Sequence, residues 1–332
     1  MKRILFLLLV LNIFNAPLSA QKLKELTSIT KEAYDSIPSL GSILVLKDNN
    51  LVCEEYFNEA NAETNFNMFS VTKSVISALA GIAHDKGLLP DVNTPVLKTL
   101  PQYDTDTSSH KKMMTFKHLL SMQSGILWHD NNPPKLINDD QITTYLQQPI
   151  ECAPGTKFRY SSTESHCVAV ALSACVKTDL KTFGDSTLFN YLGIEISKWP
   201  NDKQGRRLGG SELRLKPKDM IKFGLLYLNE GKVNDKQVIS KSWINESTSE
   251  QAILNEWDVL PGANGYGYYW WRRKTNGHQA FVATGFGGQL ICVIPDLKMV
   301  IVTTCFANDK NRGRSEIKRL HGFIDKIVKA ST

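Results

Sequence analysis

The sequence predicts an α+β fold: an antiparallel sheet built from both ends of the chain, flanked by helices, with a mostly helical insertion lobe between the two parts of the sheet. Three observations predict it. Residues 42–57 and 265–306 form short runs rich in β-branched and aromatic residues. The stretch from about 91 to 205 carries mostly helical spacing broken by polar loops. The chain closes on an amphipathic helical stripe.

Taken in order, residues 1–20 combine a basic start (Lys2, Arg3), an apolar run from Ile4 to Phe14 broken only by Asn12, and small residues up to Ala20. That layout is expected of a secretory signal peptide, which places the mature protein in the periplasm or outside the cell. The run is too short to span a bilayer comfortably and no later run approaches that length, so no stable membrane insertion is expected after cleavage. An amphipathic helix follows from about residue 22. Strands at 42–47 and 51–57 flank the polar turn Asp48-Asn49-Asn50. Beyond Ser70, Val71, Val75, Ile76, Leu79, Ile82 and Ala83 recur near helical spacing, with Gly87 and Pro90 as the stop. Further helices are expected within 114–128, at 161–176 and at 217–230, the last with Pro217 in its first turn. Strand character returns at 265–273, 279–287, 289–295 and 299–306, the last two joined by Pro295–Lys298, and a helix over 315–329 ends the chain. Residues 21–332 thus read as one domain, with a sheet lobe (about 21–90 and 206–332) and a helical lobe (about 91–205).

Charge and cysteines narrow the function. The formal charge of +6 falls to +4 without Lys2 and Arg3, and no basic block stands out, so nucleic acid is not an expected partner. The six cysteines lack metal-site spacing and several lie in apolar runs, which fits buried free thiols. No HExxH, Gly-x-Ser-x-Gly, phosphate loop or dinucleotide fingerprint is present, so neither a metal nor another cofactor is expected.

Six Ser-x-x-Lys pairs occur, and context separates one of them. Ser19/Lys22 straddles the expected cleavage site. Ser28/Lys31 and Ser315/Lys318 lie on amphipathic helices, and Ser108/Lys111 and Ser109/Lys112 in a polar run. Ser70/Lys73 opens an apolar helix just after a strand hairpin. There the first-turn N–H groups and the helix dipole favour negative charge on the serine. Spacing of three sets the lysine on the same face, and desolvation lowers its proton affinity, as a base for that serine requires.

Two further segments accompany "FSVTKSV": "PGTKFRYSS" at 154–162 and "ATGFGGQ" at 283–289. The ordered set resembles the penicillin-recognising serine hydrolases, a superfamily of class C β-lactamases, D,D-peptidases and related esterases and amidases. "HLLSMQSGILW" (118–128) and "GGSELRLKPKDMIKFGLLYLNEGK" (209–232) are also similar to the class C-like branch. The resemblance implies the β-lactamase/D,D-peptidase-like fold. It implies Ser70 as acylated nucleophile, Lys73 as base or proton shuttle, and Tyr160 as second proton-transfer group. The backbone N–H groups of Ser70 and Phe286 would form the oxyanion hole. Ser162, Thr284 and Gly285 would contact substrate, Gly285 by leaving the strand edge open. Apart from the resemblance, Trp128 is a candidate for a cleft wall that meets an apolar part of the substrate, with packing in the core as the equal alternative.

Two positions depart from the β-lactamase form. Ala283 stands where Lys or His is usual, and Ser162 where Asn is usual. Both departures favour the esterases and amidases, including members resembling 6-aminohexanoate-dimer hydrolase. The expected partner is a small ester or amide or a cell-wall-type peptide. Two other readings remain on the same residues: a penicillin-binding-like sensor with little turnover, and a class C-type β-lactamase.

Overall fold

The computed structural model describes residues 19–104, 108–130, 133–137, 139–254, 260–307 and 313–332. The expected signal segment therefore lies, apart from Ser19 and Ala20, outside the described residues. Helix α1 (Ala20–Ser36) is capped by Ser19, whose Oγ accepts from the Lys22 N–H. Strands β1 (Leu40–Lys47) and β2 (Asn50–Tyr56) form the expected hairpin, with Asp48 and Asn49 both at positive φ in its turn. A short β3 (Phe66–Asn67) leads to α2 (Val71–Asp85).

The middle of the chain is helical, as expected. It holds α3 (Ser109–Lys112), α4 (Phe116–Leu120), α5 (Gln141–Leu146), α6 (Ser162–Val176), α7 (Leu180–Gly184) and α8 (Asn190–Leu192). Then come β4 (Arg214–Leu215), α9 (Pro217–Leu228), the small pair β5 (Lys232–Val233) and β6 (Lys236–Gln237), and α10 (Lys241–Thr248). The last third contains β7 (Ala263–Tyr266), β8 (Trp271–Thr275), β9 (His278–Gly285), β10 (Gln289–Ile294), β11 (Met299–Cys305) and α11 (Gly313–Ser331).

Seven strands form one sheet in the order β2-β1-β11-β10-β9-β8-β7, with antiparallel pairings throughout. The N-terminal hairpin docks on the last strand, from Ser42 opposite Thr304 to Lys47 opposite Met299. This is the sheet from both ends that the sequence predicts. Helices α1 and α11 pack against each other, and α9 lies on β10 and β11. On both β10 and β11 every residue is buried, because helices cover both faces.

One expected strand is two. Residues 265–273 break after Tyr266, and β7 and β8 pair antiparallel, Tyr266 opposite Trp271. Between them Tyr269 takes φ +62, the Gly267 N–H donates to the Trp270 carbonyl and the Tyr268 N–H to Ser247 on α10. Aromatic residues favour strands in general, but here Trp270 and Tyr268 turn into the core instead of alternating across a sheet. Among the described residues all six cysteines are free, Cys152 and Cys175 partly exposed and the others buried.

Candidate active site

Three stretches far apart in sequence meet at the start of α2. Ser70 is its N-cap residue, yet with φ −70 and ψ −9 it is already helical, and its side chain makes no capping bond. A capping serine adopts extended backbone so that its oxygen turns back onto the first turn. Ser70 does not, and its hydroxyl stays available. Thr72 and Lys73 face inward one turn on; α2 is buried from Val71 through Ala83.

Lys73 is 1 % exposed. Its Nζ donates to Ser70 Oγ at 2.9 Å, Ser162 Oγ at 3.0 Å and the Gly210 carbonyl at 2.8 Å. Burial lowers its pKa from 10.5 to about 7, against the opposing pull of the Asp130 carboxylate. The three bonds have a chemical consequence. A neutral amine keeps two N–H groups and one lone pair. The Gly210 carbonyl can only accept, so it takes one N–H. When Ser162 takes the other, the lone pair is left for the Ser70 hydroxyl proton.

Tyr160 arrives on the loop before α6, and the turn 121–125 holds that loop. The Arg159 N–H donates to the Met122 carbonyl and the Gly155 N–H to the Gln123 carbonyl, both at 2.8 Å. The Glu151 N–H donates to the Gly125 carbonyl, also at 2.8 Å. This is the structural content of the "SMQSG" run. The Tyr160 ring stacks on Trp271 with centroids 5.7 Å apart at 18°, and Lys73 Nζ sits 5.0 Å from its centroid. Burial pushes the phenol above its ordinary range while a hydrogen bond with the Ser70 side chain works the other way. Ser70, Lys73, Tyr160 and Ser162 are thus brought together.

The third stretch is the end of β9. Its pairing with β8 stops at Val282 opposite Trp271, so Ala283, Thr284 and Gly285 run on with a partner only in β10. A Cβ on Gly285 would meet the Met68 carbonyl at 2.3 Å. Gly285 is therefore required by the close approach of the chain leading to Ser70, which adds a reason to the open strand edge expected from sequence. Phe286 follows in the turn, its ring edge-on to Phe69 at 5.6 Å. The Thr284 hydroxyl is buried and has no hydrogen-bond partner among the described residues.

For Trp128 the structure shows core packing, the second of the two readings the sequence left open. The side chain is 2 % exposed, packs edge-on against Tyr145 at 5.5 Å and donates its indole N–H to Asp130 Oδ1 at 2.8 Å. What it supplies is a fixed Asp130, whose Oδ2 accepts the Ser162 N–H at 2.7 Å.

Asp130 and the Gly210 carbonyl are site components that the sequence reading missed. Asp130 carries no local signal. Gly210 did: a Cβ there would meet the Ser162 carbonyl at 2.7 Å, so the Gly-Gly pair at 209–210 marks a close approach of two backbones. Among the described residues no group of three or more His, Cys, Asp or Glu side chains is placed to hold a metal ion, and no helix is long and apolar enough to cross a membrane.

Comparison with known proteins bears on the family and the fold. The family described as Beta-lactamase matches residues 32–324. Among solved structures the chain is similar to a protein from Bacteroides dorei assigned as a beta-lactamase, with a TM-score of 0.77 and 19% identity over 92% of this chain and 98% of that one. It is similar to a Bacillus anthracis protein assigned as a 6-aminohexanoate-dimer hydrolase, with a TM-score of 0.71 and 22% identity over 90% of this chain and 82% of that one. A family VIII carboxylesterase superposes with a TM-score of 0.73 at 16% identity, covering 94% of this chain and 98% of that one. At these identities the likeness is one of fold.

Proposed function

The chain belongs to the beta-lactamase family, and from that premise we propose that it is an exported serine hydrolase that cleaves an ester or amide bond through an acyl-enzyme on Ser70. The observation that carries this reading is the 2.9 Å contact between Ser70 Oγ and the amine of a lysine that burial brings to a pKa of about 7. Near neutral pH such an amine is partly unprotonated and can accept a proton, which an ordinary surface lysine cannot do.

In the proposed cycle Lys73 takes the Ser70 proton as Oγ bonds to the acyl carbon. The N–H groups of Ser70 and Phe286 receive the oxyanion, an interaction whose loss typically costs about 10²–10³ in rate. Collapse breaks the bond to the alcohol or amine, which leaves with a proton passed from Lys73 through Tyr160. Water then attacks the acyl carbon, giving its proton back along the same route, and the acid departs as Ser70 is restored. Tyr160 keeps its proton at neutral pH, consistent with a relay rather than a permanent anion.

Ala283 and Ser162 bear on the substrate. No cationic side chain stands at the β9 position where a β-lactam carboxylate would be met, and Ser162 uses its hydroxyl on Lys73. Neutral short-chain esters and amides are therefore preferred over β-lactams. The test is purified protein lacking residues 1–20 against short-chain nitrophenyl esters, anilides and a chromogenic cephalosporin, with Ser70→Ala alongside. Steady ester turnover that vanishes in Ser70→Ala while the fold is retained is expected, as is a fluorophosphonate adduct at Ser70 that Lys73→Ala abolishes. Turnover that persists in Ser70→Ala would sink the mechanism. Acylation in one burst without turnover would instead make the protein a sensor.

A further inference from the structure

The residue before Ser70 is held in a backbone conformation that costs energy. Phe69 has φ +43, in the left-handed region that an aromatic residue seldom enters unless its surroundings enforce it. Its N–H donates to Asn67 Oδ1 at 2.9 Å. Asn67 Nδ2 in turn donates to Glu212 Oε2 at 3.0 Å, and Glu212 itself sits at φ +73. Two left-handed non-glycine residues from distant parts of the chain thus meet through one asparagine side chain.

The surroundings brace this arrangement on both flanks. On one side β3 pairs with β4, Asn67 opposite Arg214, the Met68 N–H donates to the Leu213 carbonyl at 2.8 Å, and the Leu213 N–H donates to Thr72 Oγ1 at 3.3 Å. On the other, the Met68 carbonyl abuts Gly285 and the Phe69 ring lies against Phe286. The peptide linking Phe69 to Ser70 carries the Ser70 N–H, so the rotation held at Phe69 fixes where that N–H points. The ring of the same residue touches the residue that would supply the second oxyanion donor.

We propose that Asn67 and Glu212 are positioning residues for acyl transfer, which through Phe69 align the Ser70 N–H with the Phe286 N–H. This rests on the serine-hydrolase reading above. Asn67 works with both ends of its amide: the oxygen accepts from Phe69 and the nitrogen donates to Glu212. Aspartate keeps the first bond but loses the second and brings two carboxylates together. Glu212 needs only an acceptor oxygen, which glutamine retains.

The experiment measures nitrophenyl-ester kinetics and the rate of fluorophosphonate labelling for Asn67→Ala, Asn67→Asp, Glu212→Ala and Glu212→Gln. Releasing a left-handed phenylalanine that surroundings hold in place lowers kcat and the labelling rate together by about tenfold in both Asn67 variants, with KM within about twofold. Glu212→Ala follows in the same direction and Glu212→Gln stays near wild type. A Phe69→Gly background supplies the readout that general loosening would not move. Glycine takes positive φ without penalty, so adding Asn67→Ala to it costs no more than about threefold.

Wild-type kcat in Asn67→Ala, or an undiminished tenfold loss in the Phe69→Gly background, overturns the proposal. Should Asn67→Ala not fold, Glu212→Ala against Glu212→Gln decides by the same criterion. Ser70→Ala separates the two levels. Turnover retained there removes the serine-hydrolase reading, whereas an inactive Ser70→Ala beside a fully active Asn67→Ala removes only the clamp.

Discussion

Helices α2 and α6 start alike and end up with different tasks. Each has 15 residues, each has a serine at the N-cap, and each carries a fully buried ionisable residue three positions on: Ser70 with Lys73, Ser161 with Glu164. Ser161 is extended, with φ −145 and ψ 121, and its Oγ accepts the Glu164 N–H at 3.2 Å. Ser70 is helical and caps nothing. One serine is committed to capping the start of a helix; the other keeps its hydroxyl for the amine beside it. The difference lies in the backbone that enters each helix, which for Ser70 is the left-handed Phe69.

The two buried side chains differ as well. Burial pushes each toward its neutral form, Lys73 down to about 7 and Glu164 up to about 8. Lys73 has three partners from three parts of the chain. Glu164 accepts from Ser124 Oγ at 2.7 Å through Oε1, and its Oε2 is buried with no partner among the described residues. A chain of hydroxyls stands behind it, since Tyr145 donates to Ser124 at 2.6 Å. The lysine sits where the proposed proton transfer needs it; burial favours the neutral form of the carboxyl.

The largest expected effect is on stability at Glu164. Its folded pKa is raised, so its contribution is fully present below about 4.5 and is lost as pH climbs through about 8. Glu164→Gln should therefore gain on the wild type with rising pH, by on the order of a few kcal/mol across that window. Denaturant unfolding at pH 5 and pH 8 measures it, and equal differences at both pH values would show that the carboxyl is ionised in the fold. Lys73 works with the opposite slope. Its folded value is depressed, so stability rises from about pH 7 toward 10.5 as the unfolded chain gives up the proton that the folded chain has already lost.

Next in size is the rate. If neutral Lys73 is the base, kcat/KM falls about tenfold per pH unit below about 7 and is near a plateau above it. At pH 5 it should stand roughly a hundredfold below the plateau. A profile flat from pH 5 to 8 would remove Lys73 from that role.

The smallest effect contrasts the caps themselves. Ser161→Ala should cost about 1 kcal/mol, the ordinary value of a lost N-cap. Ser70→Ala, which removes no capping bond, should change stability by no more than about 0.5 kcal/mol. A loss at Ser70 as large as at Ser161 would mean that both serines serve as caps.

Much of the fold was legible because its signals are local. Apolar alternation and β-branched runs gave five of the seven strands in the large sheet within a few residues, and Asp48-Asn49 marked the hairpin through residues that tolerate positive φ. The run 265–273 misled because aromatic residues read as strand, whereas contacts with α10 turn the chain back at Tyr269. At Trp128 the sequence left two readings open, since composition cannot tell a tryptophan lining a cleft from one holding Asp130.

Local sequence pattern was enough for most strands of the large sheet, for its longest helices, for the Ser-x-x-Lys pair at the head of an apolar helix, and for the family. Only the tertiary structure decided that Ser70 is uncapped, that Ser162 and the Gly210 carbonyl complete the shell of Lys73, and that Asp130 enters the site. Periodicity and turn chemistry act between residues a few positions apart, and a sequence displays them directly. The bond from Lys73 to Gly210 joins residues 137 positions apart. It exists only because β3 pairs with β4 and the Gly209-Gly210 backbone can lie directly on α6, a proximity no local pattern encodes.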